Sequence, residues 1–221
     1  MTSQRAEIEW KSGVPVSRKF DDPYYSLENG LAETRYVFLD GNDIGTRATD
    51  GFAVAELGIG TGLNILALLT CLREKGIKDA RYTGFEAFPM SSDDMASALA
   101  PFDTDQTDVQ KLLTAWNTKS DFRTPELTAH FIFGDARLTL PDWSGAADAW
   151  FLDGFAPARN PELWEPELLA QVARHTRPGG TAATYTAAGD VRRALSDAGF
   201  DVERRPGYGR KRHMTIARLP K

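Results

Sequence analysis

The 221-residue sequence predicts an α/β fold: a Rossmann-like, mostly parallel seven-stranded sheet with one antiparallel edge strand and a small N-terminal extension. Three observations carry that expectation. In residues 54–64 an apolar strand-like run passes into an apolar helical run through glycines at alternate positions, Gly58, Gly60 and Gly62. Downstream, short β-branched and aromatic runs alternate with longer helical patterns, which implies parallel strands joined by right-handed crossovers. The composition, 42% hydrophobic and 26% charged, is that of a globular chain long enough to bury a full core.

Each element has its own signal. Residues 63–72 form an apolar helix and residues 81–86 a second strand. Ser91 is an N-cap residue for a helix to Leu99, and residues 108–116 have helical periodicity. Strands are expected at 129–133, closed by Gly134-Asp135, and at 148–152, closed by Asp153-Gly154. Pro161 suits the first turn of a helix to about His175, stopped by Arg177-Pro178-Gly179-Gly180. A strand at 181–186 and a helix at 189–198 closed by Gly199 follow. Two last strands, near 202–205 and 213–219, are joined by a Gly-Tyr-Gly turn with no helix between, hence one antiparallel strand. Residues 1–50 stand apart as an extension packed on the main domain, 51–221, with 36–39 read as strand and Gly41-Asn42 as a turn.

The glycine spacing selects a ligand. A dinucleotide fingerprint places its third glycine three residues after the second, where this chain has Leu63. An acidic residue two before the first glycine, here Glu56, followed by G-x-G-x-G, is the pattern of S-adenosylmethionine methyltransferases of the class I fold. In an open parallel sheet, ligands sit beyond the carboxyl ends of the strands. Three of those ends are acidic. Glu86 stands where a carboxylate accepts from ribose hydroxyls, Asp135 where one accepts from the adenine amino group, and Asp153 beside the reacting centre. Such residues also serve as turn and cap residues, a role Asp153-Gly154 fits equally well.

Charge and composition narrow the setting. With Cys71 alone and three scattered histidines, neither a disulfide nor a His/Cys metal site is expected. No apolar run is long enough to span a membrane, and residues 1–12 are polar without a signal-peptide core, so a cytoplasmic protein with no membrane partner is expected. Net charge is −5, yet residues 201–221 carry seven Lys and Arg against Asp201 and Glu203, a local +5. A basic patch on an acidic body docks a polyanion through local contacts, although an exposed turn kept for solubility has the same composition.

Several longer segments carry a resemblance: DAWFLDGFAPARNP from Asp148, RPGGTAATYT from Arg177, VRRAL from Val191, AGF from Ala198 and GYGRKRHM from Gly207. Upstream they are joined by GIGTGLN from Gly58, FEAFP from Phe85, PVSRKFDD from Pro15 and NGLAETRYVFL from Asn29. The chain resembles, over nearly its whole length, the methyltransferase half of the bifunctional MnmC-type tRNA-modification proteins and their stand-alone relatives. The resemblance implies methylation of 5-aminomethyl-2-thiouridine at the tRNA wobble position, with S-adenosylmethionine as donor. The glycine loop and strand ends make Glu56, Gly58, Gly60, Gly62, Glu86 and Asp135 the candidates for donor binding, and Asp153 the candidate catalytic residue, accepting an N–H of the amine and stabilising the charge that develops on nitrogen. Phe155 either stacks the target base or belongs to the core. Arg210, Lys211 and Arg212 are candidates for phosphate contacts, and Tyr24, Tyr25 and Arg35 for closure over the methionine end.

Two departures stand out. The sequence ends at Lys221 without a second glycine fingerprint, so no FAD and no metal are expected, and a separate FAD-dependent oxidoreductase or other enzymes would supply the aminomethyl tRNA. His213 stands where the relatives carry Glu. Rival readings are a methyltransferase of a protein or small molecule, and a non-catalytic S-adenosylmethionine- or RNA-binding partner of a separate oxidoreductase. Nicotinamide chemistry is disfavoured by the glycine spacing.

Overall fold

A computed structural model describes residues 5–26 and 29–221. Of the polar run 1–12, residues 1–4 lie outside the described residues. The chain opens with a small antiparallel sheet, β1 (Ile8–Lys11), β2 (Val14–Ser17) and β3 (Asp22–Pro23), in the order β1-β2-β3. Helix α1 (Gly30–Thr34) follows, nucleated by Asn29, whose side chain accepts from the Ala32 N–H at 2.9 Å.

The strand expected at 36–39 is not formed. Residues Arg35–Asp40 continue α1 as a π-helical stretch, and Val37, Phe38 and Leu39 are buried. A short run of β-branched and aromatic residues has no periodicity that separates strand from buried helix. The cap at Asn29 and packing against the main domain decide for helix: Phe38 meets Phe151 at 5.4 Å, and the Tyr36 hydroxyl donates to the Pro206 carbonyl. Helix α2 (Ile44–Arg47) closes this segment.

The main domain then alternates as expected: β4 (Ala53–Leu57), α3 (Leu63–Lys75), β5 (Ala80–Glu86), α4 (Ser92–Leu99), α5 (Gln106–Thr118), β6 (Phe122–Arg123), β7 (Leu127–Phe133), α6 (Ala136–Thr139) and β8 (Ala147–Leu152). It continues with α7 (Pro166–Arg174), β9 (Thr176–Thr184), α8 (Gly189–Asp197), β10 (Asp201–Pro206) and β11 (His213–Arg218). Ser91 caps α4 and Asp105 caps α5 through side-chain oxygens that accept from backbone N–H groups one turn on.

The sheet order is β10-β11-β9-β8-β4-β5-β7-β6, with β9, β8, β4, β5 and β7 parallel. Eight strands form where seven are expected, because the two-residue β6 adds an antiparallel edge to β7. The reversed strand β11 is antiparallel to both β9 and β10, so it lies one position inside the edge. Successive residues of β8 face opposite sides: Ala149 and Phe151 join a core with α3, α4 and α5, whereas Trp150 and Leu152 join one with α7 and α8. This is a doubly wound arrangement, its order reversing between β8 and β4.

Two boundaries differ from expectation. The single helix at 161–175 is a 3₁₀ turn, Pro161–Trp164, followed by α7, because Pro166 holds Glu165 in extended backbone (φ −60°, ψ 141°). The Pro178-Gly179-Gly180 stretch does not lie between helix and strand but inside β9, where the register to β8 shifts between Ala147 and Ala149. Among the described residues no helix is long and apolar enough to cross a membrane.

Candidate active site

The carboxyl ends of β4, β5, β7 and β8 open into one cleft of about 240 Å³. Its floor is the turn from β4 into α3. Gly58, Gly60 and Gly62 all have positive φ (79°, 56° and 79°). At Gly58 the absence of a side chain is required by contact as well, since a Cβ there would lie 2.6 Å from the Asp153 carbonyl oxygen. The β4 and β8 turns therefore touch backbone to backbone, which brings Asp153 to the glycine loop.

The predicted acids occupy different layers. Glu86 lines the cleft and receives two backbone N–H groups, from Gly60 at 3.0 Å and Phe88 at 2.7 Å. Burial raises its pKa, and those donors partly offset the effect. Asp135 lines the opposite side and caps α6 by accepting from the Arg137 N–H at 3.0 Å. The Arg137 guanidinium, 2.7 Å away, holds its carboxyl below the usual range. Asp153 also lines the cleft, accepting from the Gly154 N–H and from Asn64 Nδ2, each at 2.8 Å. Burial pushes its pKa up to about 6.

Glu56 and Gly62 do not line the cleft. Glu56 is wholly buried beneath the loop, where Asn64 Nδ2 and the Tyr82 hydroxyl donate to its two oxygens. Burial and the nearby Asp153 charge raise its pKa. Asn64 thus joins two carboxylates. Sequence reasoning passed over it, although a polar residue between Leu63 and Ile65 at the start of an apolar helix was visible.

The N-terminal segment completes the walls. Lys19, Phe20, Pro23, Tyr24 and Tyr25 line the cleft, while Arg35 is exposed and outside it. Phe155 also lines it, stacked on Phe20 (4.8 Å, 29°) and edge-on to Tyr24 (5.0 Å, 79°). Phe155 is half-buried and belongs to neither hydrophobic core, packed on two rings while facing the cleft. Asp22 accepts from the Ala156 N–H at 2.8 Å and Asp21 pairs with Arg159, which ties β3 to the loop after Asp153.

The basic turn between β10 and β11 does not line the cleft, but Lys211 points toward Glu33, next to the cleft residue Thr34. Arg210, Lys211 and Arg212 are all exposed, but Lys211 bends inward: its Nζ lies 2.6 Å from Glu33 Oε1 and 4.1 Å from the Tyr185 ring centre. The Tyr185 hydroxyl in turn donates to the Gly154 carbonyl at 2.7 Å. His213 is exposed and pairs through its backbone with Pro206 in the β10–β11 ladder. Among the described residues no group of three or more His, Cys, Asp or Glu is placed to hold a metal ion.

The donor set fits S-adenosylmethionine. Glu86 and Asp135 offer acceptors to ribose hydroxyls and an amino group, and the aromatic walls offer an apolar face to a base. Carboxylates at three strand ends are poor company for a dinucleotide pyrophosphate.

Comparison with known proteins agrees with this geometry. Residues 102–220 match the family model described as S-adenosyl-L-methionine-dependent methyltransferase. The chain is 39% identical over 232 residues to the tRNA 5-methylaminomethyl-2-thiouridine biosynthesis bifunctional protein MnmC of Chromobacterium violaceum, with 97% of this chain and 34% of that protein covered. It is 43% identical over 227 residues to the protein of the same name from Caulobacter sp. strain K31 (96% and 38% covered). The chain thus spans little more than a third of the length of these relatives. In fold it is similar to MNMC2 from Aquifex aeolicus, with a TM-score of 0.78 at 23% identity (99% of this chain, 73% of that one). It is also similar to TrmN from Thermus thermophilus, with a TM-score of 0.58 at 18% identity (94% and 53%).

Proposed function

The chain belongs to the S-adenosyl-L-methionine-dependent methyltransferase family, and from that premise we propose that it methylates the amine of 5-aminomethyl-2-thiouridine at the wobble position of tRNA. The observation that carries the reading is the site itself, a cleft that combines the half-buried Asp153 carboxylate with an aromatic wall of Phe20, Tyr24 and Phe155, with the basic turn nearby. The names of the curated relatives support the choice of substrate.

When bound, S-adenosylmethionine supplies an electrophilic sulfonium methyl group. Gly58, Gly60, Glu86 and Asp135 would hold it, with Tyr24 and Phe20 covering it. The protein's remaining task is to present a neutral amine in line. An amine of lysine-like pKa, about 10.4, costs about 4–5 kcal/mol to deprotonate at pH 7. A dry cleft lowers that cost, whereas a carboxylate raises it by favouring the ammonium form. Asp153 is therefore not simply a strong base. It accepts an N–H of the amine, aims the lone pair, and stabilises the positive charge that develops on nitrogen.

A wobble base must leave its loop to enter the cleft, and stacking on Phe155 with phosphate contacts at the basic turn accomplishes that. Arg210, Lys211 and Arg212 supply the phosphate contacts, and Lys211 Nζ also lies 2.6 Å from Glu33 Oε1. A separate FAD-dependent oxidoreductase, or other enzymes, would provide the aminomethyl tRNA. The test uses labelled methyl donor, offered with tRNA from cells that accumulate the aminomethyl intermediate and, separately, with total cell protein. Label in tRNA alone is expected; label in protein alone would overturn the substrate.

A further inference from the structure

We propose that Asn64 is a positioning residue for methyl transfer, and that the motif acid Glu56 is its buried anchor rather than a ligand of the donor. The inference deepens the proposed function, because it rests on Asp153 being the acceptor-side carboxylate.

Asn64 is the second residue of α3 and is 5% exposed. Its amide has two hydrogens, and both are used: one on Glu56 Oε1, the other on Asp153 Oδ2 at 2.8 Å. The second oxygen of Glu56 accepts from the Tyr82 hydroxyl, which β5 presents from the fully buried interior. A chain of donors and acceptors, Tyr82–Glu56–Asn64–Asp153, therefore runs from the sheet to the cleft. Flipping the amide would set its oxygen against two carboxylates, so one orientation holds. Oδ1 of Asp153 is fixed independently by the Gly154 N–H. With one donor on each oxygen, the carboxylate plane is set before any substrate arrives, and each oxygen keeps a lone pair for the acceptor amine.

Glu56 meets the requirements of an anchor and not those of a ligand. It does not line the cleft, it is 0% exposed, and both oxygens are occupied. Other titratable groups face this chain from several elements: Glu86 from β5 beside Glu56, Glu33 from α1 and Lys211 from the basic turn beside Asp153, and Tyr185 after β9, which feels the Asp153 charge. Lys211 favours the ionised form of Asp153 and Glu33 opposes it, whereas Asn64 is the direct hydrogen-bond partner.

The test compares the wild-type chain with Asn64→Leu, close in size but without donors, and Asn64→Ser, which keeps one donor. Three quantities are measured: S-adenosylhomocysteine affinity by calorimetry, the Asp153 carboxyl titration by ¹³C NMR with Asp153→Asn as assignment control, and turnover on aminomethyl tRNA. In Asn64→Leu the Asp153 midpoint is expected to rise by about one pH unit, because its ionised form loses a donor. Turnover is expected to fall by about 10- to 100-fold, while affinity for S-adenosylhomocysteine stays within about threefold. Asn64→Ser should lie between the two. An unmoved midpoint, or affinity that falls in step with turnover, would overturn the inference; the latter would mark the Glu56–Asn64 pair as donor ligands. Calorimetry and titration need no acceptor. Wild-type inactivity on tRNA together with a moved midpoint would thus remove the substrate reading and leave this inference standing.

Discussion

Asp153 carries one hydrogen bond on each carboxylate oxygen, and burial still pushes its pKa up to about 6. A raised carboxyl pKa keeps the neutral form present to higher pH, so the charge disappears as pH falls through 6. The slope of log turnover against pH, already positive where the amine titrates, is therefore expected to steepen by about one below that point, with donor affinity flat across the same range. Asp153→Asn keeps the shape and removes the charge. Its turnover should fall by about 10²- to 10³-fold, its donor affinity should change less than about threefold, and the extra steepening below pH 6 should vanish. Donor binding with near-wild-type turnover in that variant would contradict the charge role. The position of Asp153 in the cleft could be read from a strand end followed by Asp-Gly. Its partner Asn64 was legible only as a polar residue out of place in an apolar helix, and the contact that explains it spans 89 residues.

At the scale of elements, the glycine loop and the β8 turn are one structure, because they meet backbone to backbone at Gly58. Gly58→Ala and Gly51→Ala separate two costs. Both positions have positive φ, 79° and 76°, but the space around Gly51 is open, whereas a Cβ at Gly58 meets the Asp153 carbonyl oxygen at 2.6 Å. Gly51→Ala is expected to lose about 1–2 kcal/mol in denaturant unfolding from backbone strain alone. Gly58→Ala should lose more and also weaken donor binding; equal losses with unchanged binding would show that the two turns move independently. The basic turn is tested by salt dependence. Arg210→Ala with Arg212→Ala should flatten the slope of log affinity for tRNA against log salt by about one to two.

Across the whole molecule, the alternating elements and the cleft at their carboxyl ends were legible because each depends on local periodicity and on a general rule for open sheets. What was not legible depends on distant contacts. The strand expected at 36–39 is a π-helical stretch, since its apolar residues pack against β8 more than a hundred residues away. The cleft walls Lys19, Phe20 and Pro23 owe their place to the Asp22–Ala156 hydrogen bond, 134 residues apart in sequence. The N-terminal segment is thus part of the site as well as an addition to the domain. Cleft, acceptor carboxylate and basic turn together make one claim, that this chain methylates an aminomethyl base in tRNA. The most direct test incubates the protein and labelled S-adenosylmethionine with tRNA bearing 5-aminomethyl-2-thiouridine, and in parallel with tRNA lacking the aminomethyl group, followed by nucleoside analysis. Conversion to the methylaminomethyl nucleoside in the first tRNA and no label in the second is the predicted result. Equal labelling of both, or no labelling of the first while the donor binds, would contradict it.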